Sequence, residues 1–128
     1  MSDILVRGAV VREPSPATIY VVWWPERNIL KVGYTDQSRW RIFEPRGAVV
    51  LALWQFPTFM GALDFESFCH RELESFLSPA FADKAEAKTS RLVPGGCGHL
   101  ECYQLTDEWT ATDVLEYLRS HLTLAEAA

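Results

Sequence analysis

A chain of 128 residues, 48% of them hydrophobic and five of them tryptophan, is long enough to bury one core of its own, which predicts a single domain over 1–128. Its net charge of −5 excludes a protein that coats nucleic acid, because the phosphate backbone draws most of its affinity from Lys and Arg. No apolar run approaches the roughly 18 residues of a membrane span, and Met1-Ser2-Asp3 lacks the basic flank and apolar stretch of a signal peptide, so a cytoplasmic protein with no membrane contact is expected.

In chain order, the Pro14-Ser15-Pro16 breaker precedes a β-branched and aromatic segment, 18–24, that reads as a strand ending at Pro25. A polar turn over 25–28 leads to a second strand, 29–34, and the two make a hairpin. Thr35-Asp36 is a helix N-cap signal, and 39–44 can form a short helix that must stop before Pro45. The segment 48–56 is apolar almost throughout and reads as a central strand. From 61 to 77, Ala62, Phe65, Cys69, Leu73 and Phe76 fall at spacings of three and four, the period of an amphipathic helix. The run 79–98 mixes Ala, Lys, Pro and Gly with weak periodicity and reads as a mobile loop or partly helical lid. A fourth strand follows over 101–105, and a closing helix over 110–122 turns Val114, Leu115 and Leu118 inward. The order predicts an α+β fold, a small antiparallel sheet of three to four strands flanked by helices.

Charge is unevenly spread. Residues 1–50 carry seven basic and five acidic side chains, whereas 51–128 carry five basic and twelve acidic ones. A polyanion is therefore expected to meet the first part, where Arg27, Lys31, Arg39, Arg41 and Arg46 cluster. The tryptophans, Trp23, Trp24, Trp40, Trp54 and Trp109, are mostly core candidates, and Trp40, between Arg39 and Arg41, is also a candidate surface for stacking on a base. The hairpin brings Tyr20 and Lys31 onto neighbouring strands, the short helix presents Arg41, and Glu66 can face them. Phosphodiester chemistry asks for that set: an activated nucleophile, cations against the charge on the transferring phosphoryl group, and a carboxylate to hold a metal.

Thr18-Ile19-Tyr20, then Lys31-Val32-Gly33, then Arg41-Ile42 ten residues after Lys31, resembles the motif series of the GIY-YIG nucleases. The likeness is to a phage T5-type subgroup in particular, with a KIG-like second motif, a helix reading E-x-x-x-H, and a late acidic-aromatic strand. Those elements here are Lys31-Val32-Gly33-Tyr34-Thr35, Glu66 with His70, and Glu101-Cys102-Tyr103, so the resemblance spans about 17–106. Thr18 stands where that motif has a glycine, Lys31 where the second motif has a tyrosine, and Pro45 where many members have an aromatic or histidine.

The resemblance implies a metal-dependent endonuclease that hydrolyses DNA phosphodiester bonds. In it Glu66 would hold Mg²⁺ or Mn²⁺, and Arg41 would grip the scissile phosphate, with Arg39 and Arg46 as alternatives. Tyr20 or Lys31 would serve as the base, or Lys31 would lower the tyrosine's pKa or neutralise phosphate charge. His70, one turn from Glu66, would donate to the leaving group or order water. Asp64, Glu72 and Glu74 compete with Glu66 on the same helix. The acidic balance implies weak intrinsic affinity for DNA, and a domain this small leaves specificity to a protein partner, homo-oligomerisation or substrate structure. The same resemblance admits a catalytically inactive binding module. Cys97, His99 and Cys102 do not match a standard zinc spacing.

Overall fold

The computed structural model describes residues 17–127, with side chains through Leu122; the Pro14-Ser15-Pro16 breaker and Met1-Ser2-Asp3 lie outside the described residues. Strands β1 (Thr18–Trp24), β2 (Ile29–Thr35), β3 (Val49–Gln55), β4 (Ser78–Pro79) and β5 (Cys102–Gln104) form one antiparallel sheet in the order β3-β1-β2-β5-β4. The fold is α+β, as expected, with five strands in place of three or four. The additional strand, β4, is two residues long and too short to leave a periodic signal. Its Pro79 is tolerated because β4 closes the edge of the sheet.

β1 and β2 form the expected hairpin, pairing from Thr18↔Thr35 to Trp24↔Ile29. Asn28 closes the turn at φ 52, a left-handed conformation that asparagine tolerates, and its side chain accepts a hydrogen bond from Trp23 Nε1 at 3.1 Å. β3, expected at the centre, lies at the edge. Its apolar run reflects cover on both faces rather than a neighbour on both sides, and Val49 at its start is exposed.

Alternation along the strands divides the core in two. Ile19 and Val21 of β1 and Leu30 and Val32 of β2 face helices α1 (Phe59–Phe76) and α3 (Ala111–Ala127), whose Phe65, Cys69, Leu73, Val114 and Leu118 pack on them. Tyr20, Val22 and Trp24 face the other way, toward Trp40, Phe43 and helix α2 (Lys84–Ser90). α1 starts two residues earlier than its periodicity indicates, because Thr58 Oγ1 accepts from the Gly61 amide at 3.0 Å and caps it.

The second layer is where the sequence pattern is least regular. The expected helix over 39–44 is two 3₁₀ turns, Arg39–Ile42 and Glu44–Arg46. Pro45 sits inside the second turn, near its start, where a missing N–H is harmless. The 79–98 run is partly helical: Asp83 caps α2 by accepting from the Glu86 amide at 2.8 Å, and Glu86 accepts in return from the Ala82 amide at 3.1 Å. Two further 3₁₀ turns, Pro94–Gly96 and His99–Glu101, carry the chain across this face into β5. No helix among the described residues is long and apolar enough to cross a membrane.

Candidate active site

Tyr20 and Gly33 are cross-strand partners, and a Cβ on residue 33 would collide with the phenol ring. Glycine in the Lys31-Val32-Gly33 motif therefore lets the tyrosine lie flat across β2. Val22 is the partner of Lys31, so Tyr20 and Lys31 sit two residues apart on the same face of the hairpin. Lys31 Nζ lies 5.5 Å from the centroid of Tyr20 and 5.6 Å from that of Phe43.

A lysine only 2% exposed in a central strand needs an anionic partner, and Glu101 supplies it: Lys31 Nζ donates to Glu101 Oε1 in a very short ion pair. Gly98 makes room for the pair, since a side chain there would run into both groups, and its φ of +77 favours glycine independently. Burial opposes the ammonium, but the charge Tyr20 takes on when it ionises and the Glu101 carboxylate outweigh it, so the lysine's pKa is raised and it is a cation at neutral pH. Burial raises Tyr20 as well, and the nearby Lys31 pulls it only part of the way back. The phenol keeps its proton at neutral pH.

These side chains line a pocket of about 240 Å³, whose far wall is Pro94, Cys97 and Gly98. Of the candidate arginines, Arg39 lines the pocket, and its charge acts on Tyr20. Thr35 accepts from the amides of Gln37 and Arg39, at 3.1 and 3.4 Å, fixing the turn that carries it. Arg41 is exposed and does not line this pocket. Arg46 donates to the Arg91 carbonyl at 2.7 Å and ties its turn to the end of α2. Arg27 belongs to the hairpin turn, beyond the Trp24–Ile29 pair and away from Gly33. Trp40, a candidate for the core or for stacking on a base, is completely buried in the core beside Phe43 and offers no ring face to a base.

Glu66 and His70 flank the buried stripe of α1, one turn apart, with His70 Nε2 3.6 Å from Glu66 Oε2. α1 packs on the sheet face opposite Tyr20 and Lys31, so the four expected residues do not line one pocket. They are joined round the edge of the sheet. β5 pairs only with Ile29 to Lys31, which leaves β2 beyond Lys31 unpaired on that side, and Glu101 stands at this opening. One ligand atom from each of Glu66, His70 and Glu101 lies within 4.8 Å of the others, and this is the one cluster of metal-ligating side chains among the described residues.

The cluster fits the divalent cation that the motif resemblance implies. His70 Nδ1 is 2.5 Å from the Tyr103 hydroxyl, whereas its Nε2 is sealed from solvent with no hydrogen-bond partner. A buried ring nitrogen left bare beside a carboxylate is suited to a metal. Glu101 is the residue that sequence reasoning quoted without giving it a role. Its signal was Lys31, a cation amid β-branched and apolar neighbours that has to find a carboxylate on an adjacent strand.

No protein-family model, curated protein or solved structure matches the chain.

Proposed function

We propose that the protein is a metal-dependent endonuclease that hydrolyses phosphodiester bonds in DNA, working in the cytoplasm with specificity supplied by a partner protein, self-association or substrate structure. The observation that carries this reading is Glu101. Its carboxylate joins a pocket holding an ammonium, a phenol and a guanidinium to the Glu66–His70 pair.

A divalent cation such as Mg²⁺ or Mn²⁺, when bound there, supplies charge neutralisation for the transferring phosphoryl group and acidifies water. The chain's own groups bind and orient the phosphate. Arg39 offers a planar fork matched to two phosphate oxygens, the place that the motif spacing gave to Arg41. Lys31 is charged and Tyr20 protonated at neutral pH, so both act as hydrogen-bond donors to phosphate oxygens and neither accepts a proton from water. Either can pass a proton to the leaving oxygen. The excess of acidic groups after residue 50 is consistent with weak intrinsic affinity for DNA.

Supercoiled plasmid incubated with the protein and Mn²⁺ or Mg²⁺, beside Glu66→Ala and Arg39→Ala, tests the reading. Metal-dependent nicking by the wild type that both substitutions abolish is the expected result. Nicking that survives both would identify a contaminant and remove the assignment.

The Lys31–Glu101 pair favours one other reading, a binding module that kept this arrangement without turnover, because the ammonium already has a counter-ion. No cleavage with any divalent cation, together with retained nucleic-acid or protein binding, would select it.

A further inference from the structure

We infer that Glu66, His70 and Glu101 form a three-ligand site for a first-row transition cation of the Mn²⁺ type, in preference to Mg²⁺. The inference deepens the endonuclease reading, from which it takes only the presence of a divalent cation. It adds two ligands to the single carboxylate that the motifs suggested, and it commits the site to a class of metal.

Three observations converge. The first is the contact of His70: its Nδ1 meets the Tyr103 hydroxyl at 2.5 Å, and the tautomer that is protonated at Nδ1 donates to the phenol oxygen and has its lone pair on Nε2. A second ring nitrogen fixed by an oxygen is the usual support of a metal-binding histidine. The second observation is that Nε2 is buried and unpartnered, on the side of the ring that faces the Glu66 carboxylate at 3.6 Å. The third is the placement of Glu101, whose carboxylate completes a triangle no wider than 4.8 Å.

A cation about 2.0–2.2 Å from each of three ligands requires ligand separations of about 3–3.8 Å, so the triangle has to close by about an ångström, a movement within reach of side-chain rotation in the two glutamates. Two carboxylates and one imidazole set the selectivity. Mg²⁺ takes oxygen ligands almost exclusively and dehydrates reluctantly, whereas imidazole nitrogen favours transition cations. Lys31 contributes by holding Glu101 at the β2 edge from the pocket side.

The test is metal binding by the full chain, stripped with chelator and free of nucleic acid. Mn²⁺ is titrated into wild type, His70→Gln and Glu101→Gln while the electron paramagnetic resonance signal of free Mn²⁺ is followed, with Mg²⁺ as competitor. Paramagnetic broadening of the imidazole proton resonances is recorded for the three histidines. The expected result is one Mn²⁺ per chain, His70 broadened more than His99 or His121, and Mg²⁺ displacing Mn²⁺ only in large excess. Each substitution should weaken binding by more than the roughly tenfold that loss of a supporting group costs. If Glu101→Gln does not fold, as circular dichroism would reveal, His70→Gln and the broadening pattern decide the matter. Equal Mn²⁺ binding by wild type and His70→Gln, effective competition by Mg²⁺ at equal concentration, or no Mn²⁺ binding would each overturn the inference. Plasmid cleavage on the same samples separates the two claims. Ligand-dependent Mn²⁺ binding without cleavage upholds the site and removes the nuclease reading, and cleavage with binding indifferent to His70 does the reverse.

Discussion

Gly33 stands opposite Tyr20 in the β1–β2 ladder, and the phenol ring occupies the space that a side chain at residue 33 would fill. The glycine of the second motif and the tyrosine of the first are thus one steric unit. Gly33→Ala must push the ring out of its place, and because Tyr20 is 1% exposed its only way out is toward the pocket it lines, at the expense of its contacts with Phe43. We expect a loss of about 1–3 kcal/mol, the range for overpacking a closed core, read as a lower urea midpoint with an unchanged slope. An unaltered midpoint would mean that the ring swings aside freely and that the contact is not a constraint.

The ion pair between Lys31 and Glu101 has unequal ends: the lysine is buried, and the glutamate side chain is 35% exposed. Glu101→Ala leaves an ammonium sealed against Tyr20 and Phe43 with no counter-ion. Breaking a buried pair in this way costs about 3–5 kcal/mol, and the exposure of Glu101 places the expected loss at the low end of that range. The double substitution Lys31→Met with Glu101→Leu should recover most of the stability while removing the charge from the pocket. Calorimetric unfolding of the two variants checks this, and a double variant no more stable than Glu101→Ala would contradict it.

The strands that carry the site were legible because β1 and β2 are rich in β-branched and aromatic residues and flank a turn of polar residues, and the Phe65, Cys69, Leu73 stripe marked α1. The position of β3 was not. An apolar run reports that both faces of a strand are covered and is silent on whether one edge or two are paired. Of the two places open to Trp40, core and stacking surface, it takes the core: flanking arginines suggest a surface, but a 3₁₀ turn changes its facing at every residue, and Trp40 points inward while Arg39 and Arg41 point out. Glu101 lay hidden in a stretch where two 3₁₀ turns and the loops around them erase any period, and only the need of Lys31 for a partner could have drawn attention to it.

Arg39 and Arg41 share one 3₁₀ turn, but only Arg39 lines the pocket beside Tyr20 and Lys31. Under the endonuclease reading, Arg39→Ala should lower the rate of phosphodiester cleavage by about 10²- to 10³-fold, the usual effect of removing a donor to developing charge. Arg41→Ala should fall well short of that. Single-turnover cleavage of a labelled duplex at saturating protein separates this effect on chemistry from one on binding. A larger loss at Arg41 than at Arg39 would mean that the phosphate sits outside the pocket.

Alkaline pH should destabilise the fold through its buried titratable groups. Burial pushes the Cys102 thiol from its ordinary value of 9.0 up to about 11, with the Lys31 charge opposing and Glu101 assisting. Cys69, Tyr20 and Tyr103 are also raised, in each case first by burial. A group whose folded pKa is raised holds its proton more tightly in the native state. Its contribution is therefore complete below the unfolded pKa and is lost as pH rises through the folded one. For Cys102 alone the window runs from 9.0 to about 11, which corresponds to roughly 3 kcal/mol. Lys31, raised as well, adds to the loss only above its own ordinary value of 10.5. Urea denaturation in reducing buffer between about pH 8 and pH 11 should follow a falling curve, shallower in Cys102→Ala by about the share of one thiol. Stability that stays level across that range would place the thiol in contact with solvent, contrary to its complete burial beneath the Gly98 turn.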